Sequence, residues 1–530
     1  MRDAPRRSLP RSLIRGGSWL AIMLAVLPGV GRAETLADAV NAAYATNPTL
    51  GAERARQRTY DEDYVQARAA FSPSLSLTGQ DSDSFHRIGR KAPSDTRFKQ
   101  GNQTNQVVLQ LNQSIYDGGR NAATVSAASS QILAGREYLR SVESQVVYDT
   151  ISAYMAVLRD QDRVTVSRDN VAALEAELVE AKARFAVRQV TRTDVAQSEG
   201  RFLGAQAQLA SYQAQLAISA GQYTRIVGHP PGQLAPAPAL LDLPGSIEQA
   251  LDAAEGANPD LGRAKYAEQV SRAKIDQAKG ARRASISASV QYGYSAINAY
   301  DRSSFAPYTK EYDRELATSV TVRVPLFQGG ALDSTVRQSI AQNGADDMTI
   351  ETTRRTALQN VVQAWHQLYA ARSGLTAFEA QTRAFLLAYE GVRREEPFGL
   401  RSRIEVLNAE QELQSAQLQL VSARYDEYVG RAALLAAMGR LTAQSIDPKS
   451  GAYQPDAYFR AVRRKGAVPW TELLRAVDGL GLKPVTKPAP ADLTDLHPSG
   501  GPASLPMPPQ PTADELDRPM PSIASQAAKP

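Results

Sequence analysis

The sequence predicts a two-part fold: a membrane β-barrel joined to a long α-helical coiled-coil barrel, built from a tandem duplicated helix–strand–strand–helix unit. Three observations predict it. The chain repeats itself at one constant offset. The hydrophobic period drops from 3.6 to 2 at the same place in each repeat. Two long stretches, from about Arg120 to Phe185 and from Ala331 to Glu396, hold no proline and little glycine.

The offset is read from punctuation residues. Asn47-Pro48 recurs as Asn258-Pro259, and 258 − 47 = 211. The same step carries Ser74-Leu75-Ser76 to Ser285-Ile286-Ser287, Gly118-Gly119 to Gly329-Gly330, Tyr154 to Trp365, Asp194-Val195 to Glu405-Val406, and Val227-Gly228 to Met438-Gly439. Copy one is placed at 34–231 and copy two at 232–442.

Each copy opens with an amphipathic helix: Leu36, Val40 and Tyr44 stand four apart, matched by Ile247 and Leu251. Asn47 then caps, and Pro48 takes the first helical position, where its missing N–H costs nothing. The period next changes to 2. Ile286, Ala288, Val290, Tyr292 and Tyr294 alternate with Ser287, Ser289, Gln291 and Gly293, and Val320, Val322 and Val324 alternate with Ser319, Thr321 and Arg323. Strands are expected at about 74–84 and 105–116, and at 285–297 and 316–327. Each has the length of a tilted strand crossing a bilayer, with Val322 toward lipid and Thr321 toward the lumen. A soluble sheet, the other reading, would need large apolar residues on its inner face, where these strands carry small and polar ones.

Asp117-Gly118-Gly119 and Gln328-Gly329-Gly330 turn the chain into long helices at about 120–186 and 331–396, with returning helices at 191–228 and 402–439. A helix of about 65 residues spans about 100 Å, a length suited to a coiled-coil barrel. Four strands per chain cannot close a membrane barrel, and lipid does not tolerate an open edge, so several chains must share one.

The ends differ from the middle. Residues 1–33 read as a secretory signal peptide: five arginines precede a short apolar core, Trp19 to Leu27, and Gly31-Arg32-Ala33 suits cleavage after Ala33. An uncleaved anchor is the alternative. The leader carries six of the 60 basic and one of the 55 acidic residues, so the mature chain has 60 − 6 = 54 and 55 − 1 = 54. Nothing in that balance calls for nucleic acid. With no cysteine there is no disulfide, thiolate metal site or lipoprotein anchor. Residues 443–483 form a C-terminal extension on the periplasmic side, and 484–530 a Pro-rich disordered tail. The four histidines have no partner at metal spacing, and no phosphate loop or nucleophile elbow is present, so no enzyme and no cofactor is expected.

From about 34 to 442 the chain resembles the TolC family of outer-membrane channel proteins. The resemblance is carried by the duplication, by Ala257-Asn258-Pro259-Asp260-Leu261, by Leu326-Phe327-Gln328-Gly329-Gly330, and by two helix-to-helix tips, 184–195 and 398–409. It implies a homotrimer with a 12-stranded barrel among outer-membrane lipid and a helical tunnel in the periplasm. It also implies two partners, a periplasmic adaptor and an inner-membrane pump. The resemblance places adaptor docking at Val187, Arg188, Gln189 and Val190 and at Phe398, Gly399 and Leu400. It places an acidic ring at Glu405 and Asn408, and the polar links that hold the entrance closed at Arg401, Thr193 and Asp194, with Arg401 and Asp194 as candidate partners. Arg188 stands where the first tip usually has glycine, and Asn408 where an acid is usual. The run Tyr453 to Lys465 looks like a tail found in outer-membrane components of type I protein secretion, which points to an ABC transporter as the pump. A multidrug efflux channel is the alternative, and a soluble periplasmic coiled-coil scaffold is the alternative of another class.

Overall fold

The computed structural model describes residues 33–87, 99–240, 243–301, 312–451 and 453–480. Residues 1–32 of the expected leader and the expected Pro-rich tail lie outside the described residues. Copy one runs α1 (Leu36–Thr46), α2 (Pro48–Ala69), β1 (Ser74–Arg87), β2 (Lys99–Tyr116), α3 (Arg120–Ala186) and α4 (Arg192–Val227). Copy two runs α5 (Ile247–Ala257), α6 (Pro259–Gly280), β3 (Ser285–Asp301), β4 (Tyr312–Arg323), α7 (Ala331–Glu395) and α8 (Arg403–Ala437). Three short helices follow: α9 (Ala443–Ile446), α10 (Pro455–Val462) and α11 (Thr471–Asp478).

The strands form one antiparallel sheet in the order β1-β2-β3-β4. Its two hairpins share a register: Ser74 pairs with Asn112 and Ser285 with Arg323, and 285 − 74 = 323 − 112 = 211. The pairing sets Leu75 and Leu77 beside Leu111 and Leu109, and Ile286 beside Val322. This apolar face is bare, with Leu77 70% exposed. The strand ends correct the expectation. β1 and β3 run on to Arg87 and Asp301, and β2 and β4 begin earlier, at Lys99 and Tyr312, while β4 stops at Arg323, four residues short of 327. Pro325 has no N–H to give a ladder. Its counterpart in copy one, Ser114, lies at a register shift that lets β2 continue to Tyr116.

No described helix is long and apolar enough to cross a membrane. α3 alone has 67 residues, about 100 Å at 1.5 Å per residue. Gly135 lets α2 approach it, since a Cβ there would meet the Tyr60 ring at 2.6 Å. The main core lies where the copies meet, around Tyr154, Tyr223, Trp365, Leu368 and Tyr428. Tyr154 Oη donates to Ala235 O at 2.5 Å, and Tyr428 Oη to Pro238 O at 2.7 Å. The long side chains thus bury their rings and still satisfy their hydroxyls. Beside this core Glu427 accepts from Arg431 at 2.5 Å and Arg372 at 3.1 Å, all three buried.

The segment after α8 is a strap along copy one. Tyr453 N–H donates to Tyr44 Oη at 3.0 Å, Tyr458 Oη to Glu62 at 2.6 Å, and Arg68 to Lys465 O at 2.7 Å; Arg136 pairs with Asp456 at 2.7 Å. Its last helix delivers Asp478, whose carboxylate accepts from the N–H groups of Asp117, Gly119 and Ala122 at 2.6–3.1 Å. These are orphan donors at the start of α3.

Candidate functional site

The two tips reverse the long helices by the same construction. In tip one, Arg188 N–H donates to Phe185 O and Gln189 N–H to Arg184 O, both at 2.9 Å, and Arg188 takes φ 64°. In tip two, α7 ends in a 3-10 turn, Glu396–Phe398. Gly399 takes φ 72°, and Leu400 N–H reaches Glu395 O at 3.3 Å. Arg188 therefore occupies the left-handed position that Gly399 fills in copy two (399 − 188 = 211), a conformation unfavourable for a residue with a Cβ. Both tips are apolar and exposed through Val187, Phe398 and Leu400.

The next residues restart the helices. Thr191 caps α4: its hydroxyl accepts from Asp194 N–H at 3.3 Å, and Asp194 Oδ2 accepts from Thr191 N–H at 2.8 Å. These bonds from Thr191 hold the Asp194 carboxyl below its ordinary range. Glu405 closes the matching capping box in tip two, accepting from Ser402 N–H at 3.2 Å. Among the described residues of this one chain, Arg401 makes no pair with Asp194. Arg401 stays in its own tip, 2.9 Å from Glu395, which the reversal of the chain brings back to it, and 3.9 Å from Glu405, one turn further on. Thr193 is exposed.

The links between copy one and copy two at this end run through Arg403, Glu177, Glu180 and Arg201, which the sequence reading did not assign, and through Asn408, which it placed in an acidic ring. Arg403 of α8 reaches Glu180 at 3.2 Å and Glu177 at 3.5 Å on α3, and Glu396 at 3.8 Å. Arg201 of α4 donates to Asn408 Oδ1 at 3.0 Å, so Asn408 is a link between copies. Glu410, on the same helix, is buried, and that burial, reinforced by Glu177, pushes its carboxyl up to about 7 against the pull of Arg393, Arg201 and Arg403. Burial also raises Glu177. The one sequence signal was the charged row Glu177, Glu180, Arg184 at helical spacing before the tip.

The sequence profile described as "Outer membrane efflux protein" matches residues 39–229 and again 250–440, and 250 − 39 = 211. The chain belongs to the outer membrane efflux protein family. It is similar to the outer membrane efflux protein BepC of Brucella suis, 32% identical over 432 residues, which span 82% of this chain and 91% of BepC. It is also similar to the proteases secretion protein PrtF of Dickeya chrysanthemi, 22% identical over 414 residues, 77% of this chain and 88% of PrtF. The fold matches the crystal structure of the Campylobacter jejuni CmeC outer membrane channel with a TM-score of 0.67, at 14% identity, over 88% of this chain and 98% of that one. This member of the efflux protein family is thus an outer-membrane export channel, with a sheet for the barrel and paired helices for the tunnel. The strap and its Asp478 cap lie beyond the profile's last matched residue, 440.

Proposed function

We propose that this chain is one third of an exit duct for type I protein secretion. Three copies share a 12-stranded barrel, and the tips form the periplasmic entrance, where an adaptor docks and connects an inner-membrane ABC transporter. The observation that carries the reading is the four-stranded sheet. Its apolar face is bare, its outer strands β1 and β4 have unpaired edges, and α3 and α7 lead away from it. Lipid covers such a face and neighbouring copies close such edges.

Glu405 and Asn408 stand on the helix that would line the entrance, and three copies would set three Glu405 carboxylates around one axis. Such a ring attracts cations and repels anions. The protein-secretion reading is supported by the likeness to PrtF and by the run Tyr453 to Lys465; the likeness to BepC, an outer membrane efflux protein, favours an efflux channel as the second reading.

The test places photo-crosslinkers at Gln189 and Leu400. Capture of a periplasmic adaptor at both sites is the expected result; crosslinks formed only from the strand loops would overturn the orientation. Deleting the gene then separates the readings: loss of a secreted protein from the medium supports secretion, and drug hypersensitivity with an unchanged set of secreted proteins supports efflux.

A further inference from the structure

We propose that α11 is an interfacial anchor, whose apolar face lies in the headgroup layer of an anionic phospholipid surface at the rim of the barrel. The inference rests on lipid covering the bare face of the sheet, as read above.

α11 buries its polar side and exposes its apolar side. Its two buried side chains are Thr471 and Asp478, each 1% exposed. They stand 478 − 471 = 7 residues apart, two turns, so they share one face. The Thr471 hydroxyl accepts from Val468 N–H at 3.0 Å, and the Asp478 carboxylate holds the N–H groups at the start of α3. The other side carries Trp470 at the N-cap, Leu473, and Leu480 just past the helix end, with both leucines 67% exposed. Spacings of three and seven put these side chains together. The polar seat fixes the helix in place and leaves its apolar face for something outside the chain to cover.

The place identifies the cover. α11 lies against the end of β2, at Tyr116, and the start of α3, at Arg120, so it stands where the barrel strands end. The bare apolar face of the sheet begins at the same level, with Leu75 the second residue of β1. β2 is an inner strand, which sets α11 away from the edges β1 and β4, where another copy would join. The chain enters α11 through a basic run, Arg463, Arg464 and Lys465, all exposed. That run is held at the rim too: Lys465 O accepts from Arg68, and Gly466 O accepts from Ser72 Oγ at 3.0 Å, two residues before β1 starts. Tryptophan favours the boundary between hydrocarbon and water, and basic residues beside an apolar helix face favour anionic headgroups. The occupant is therefore phospholipid, continuous with the lipid that covers the strands.

Tryptophan emission reports the contact. The full chain is reconstituted in vesicles of equal parts phosphatidylcholine and phosphatidylglycerol, once with ordinary acyl chains and once with chains brominated near the headgroup end, which quench an indole on contact. Subtracting the emission of Trp470→Phe isolates Trp470 and removes Trp365, which is buried among the helices. The expected result is loss of most of the Trp470 emission in brominated lipid, with little quenching by acrylamide from the water. Unchanged emission in brominated lipid overturns the anchor: strong acrylamide quenching then shows a face open to water, and weak quenching shows one covered by a second copy or by another segment of this chain. Val320→Trp in the Trp470→Phe chain places a reporter on the apolar face of β4. Quenching there with none at Trp470 overturns the anchor and leaves the lipid-covered sheet standing, and quenching at neither site overturns both.

Discussion

Copy one and copy two have the same backbone plan and are finished in opposite ways. The strand-to-helix junction of copy one is enclosed: Gly118 packs on Gly280, and Asp478 from the strap accepts three N–H bonds at the start of α3. The matching junction of copy two is open, with Leu326 91% and Phe327 88% exposed. Deeper in, the contrast is one of charge. Copy two buries Arg372, Glu427 and Arg431 where copy one has Gln161, Leu216 and Ala220. Duplication thus preserved the glycine turns, the hairpin register and the tip geometry, which backbone sterics impose on both copies. At these junctions the copies differ in their neighbours: among the described residues, copy one's junction meets the strap through Asp478 and copy two's does not.

The largest test of this contrast is the buried triad. Glu427→Ala leaves two buried guanidiniums without their shared carboxylate and should cost about 3–5 kcal/mol, read as a shift in the denaturation midpoint. Replacing all three together by apolar residues of similar volume, Arg372→Met, Glu427→Leu and Arg431→Met, should be close to neutral or stabilising. If the triple change cost as much as the single one, charge burial would not be the difference between the copies.

Next comes pH. Glu410 holds its proton up to about 7 in the folded chain, against 4.5 for an ordinary glutamate. Between those values the folded state keeps a proton that the unfolded state has released. Stability therefore falls as pH rises through this window, by as much as about 3 kcal/mol. Glu410→Gln should flatten the fall, as measured by thermal unfolding from pH 4 to 8, and an unchanged profile would show that another group is responsible.

The strap cap is worth less. Asp478→Ala should cost about 1–2 kcal/mol and speed hydrogen exchange at Gly119 and Ala122 while leaving Gly330 and Asp333 unchanged. Equal acceleration in both copies would mean that the cap is not specific to copy one. Smallest is the tip: Arg188→Gly should stabilise by about 1 kcal/mol, and Gly399→Ala should destabilise by a similar amount, because each position holds a left-handed residue.

The repeat is legible in the sequence because its marks are residues with few substitutes, Asn-Pro at a helix start and Gly-Gly at a positive-φ turn. The alternation of the strands is legible for the same reason, since a period of 2 has one structural meaning. The end of β4 was misread because alternation continues through Val324 and Leu326 although Pro325 has already ended the ladder. At the tips, the turns follow local rules and the links between copies do not. Arg401 pairs with Glu395 and Glu405 on either side of its own reversal. Arg403 reaches Glu177 across 403 − 177 = 226 residues, a contact that depends on how α8 lies against α3. Asp478 likewise caps a helix that begins 478 − 120 = 358 residues earlier, and nothing in either segment alone announces the match.

The central claim is that several copies of this chain make one conducting pore, and planar-bilayer recording on fractions of known native mass tests it most directly. The account predicts that conductance follows the species holding three chains and is lost when that species is dissociated. Conductance that follows the single-chain mass, or a three-chain species that does not conduct after adaptor tips or low salt are varied to open it, would contradict the account.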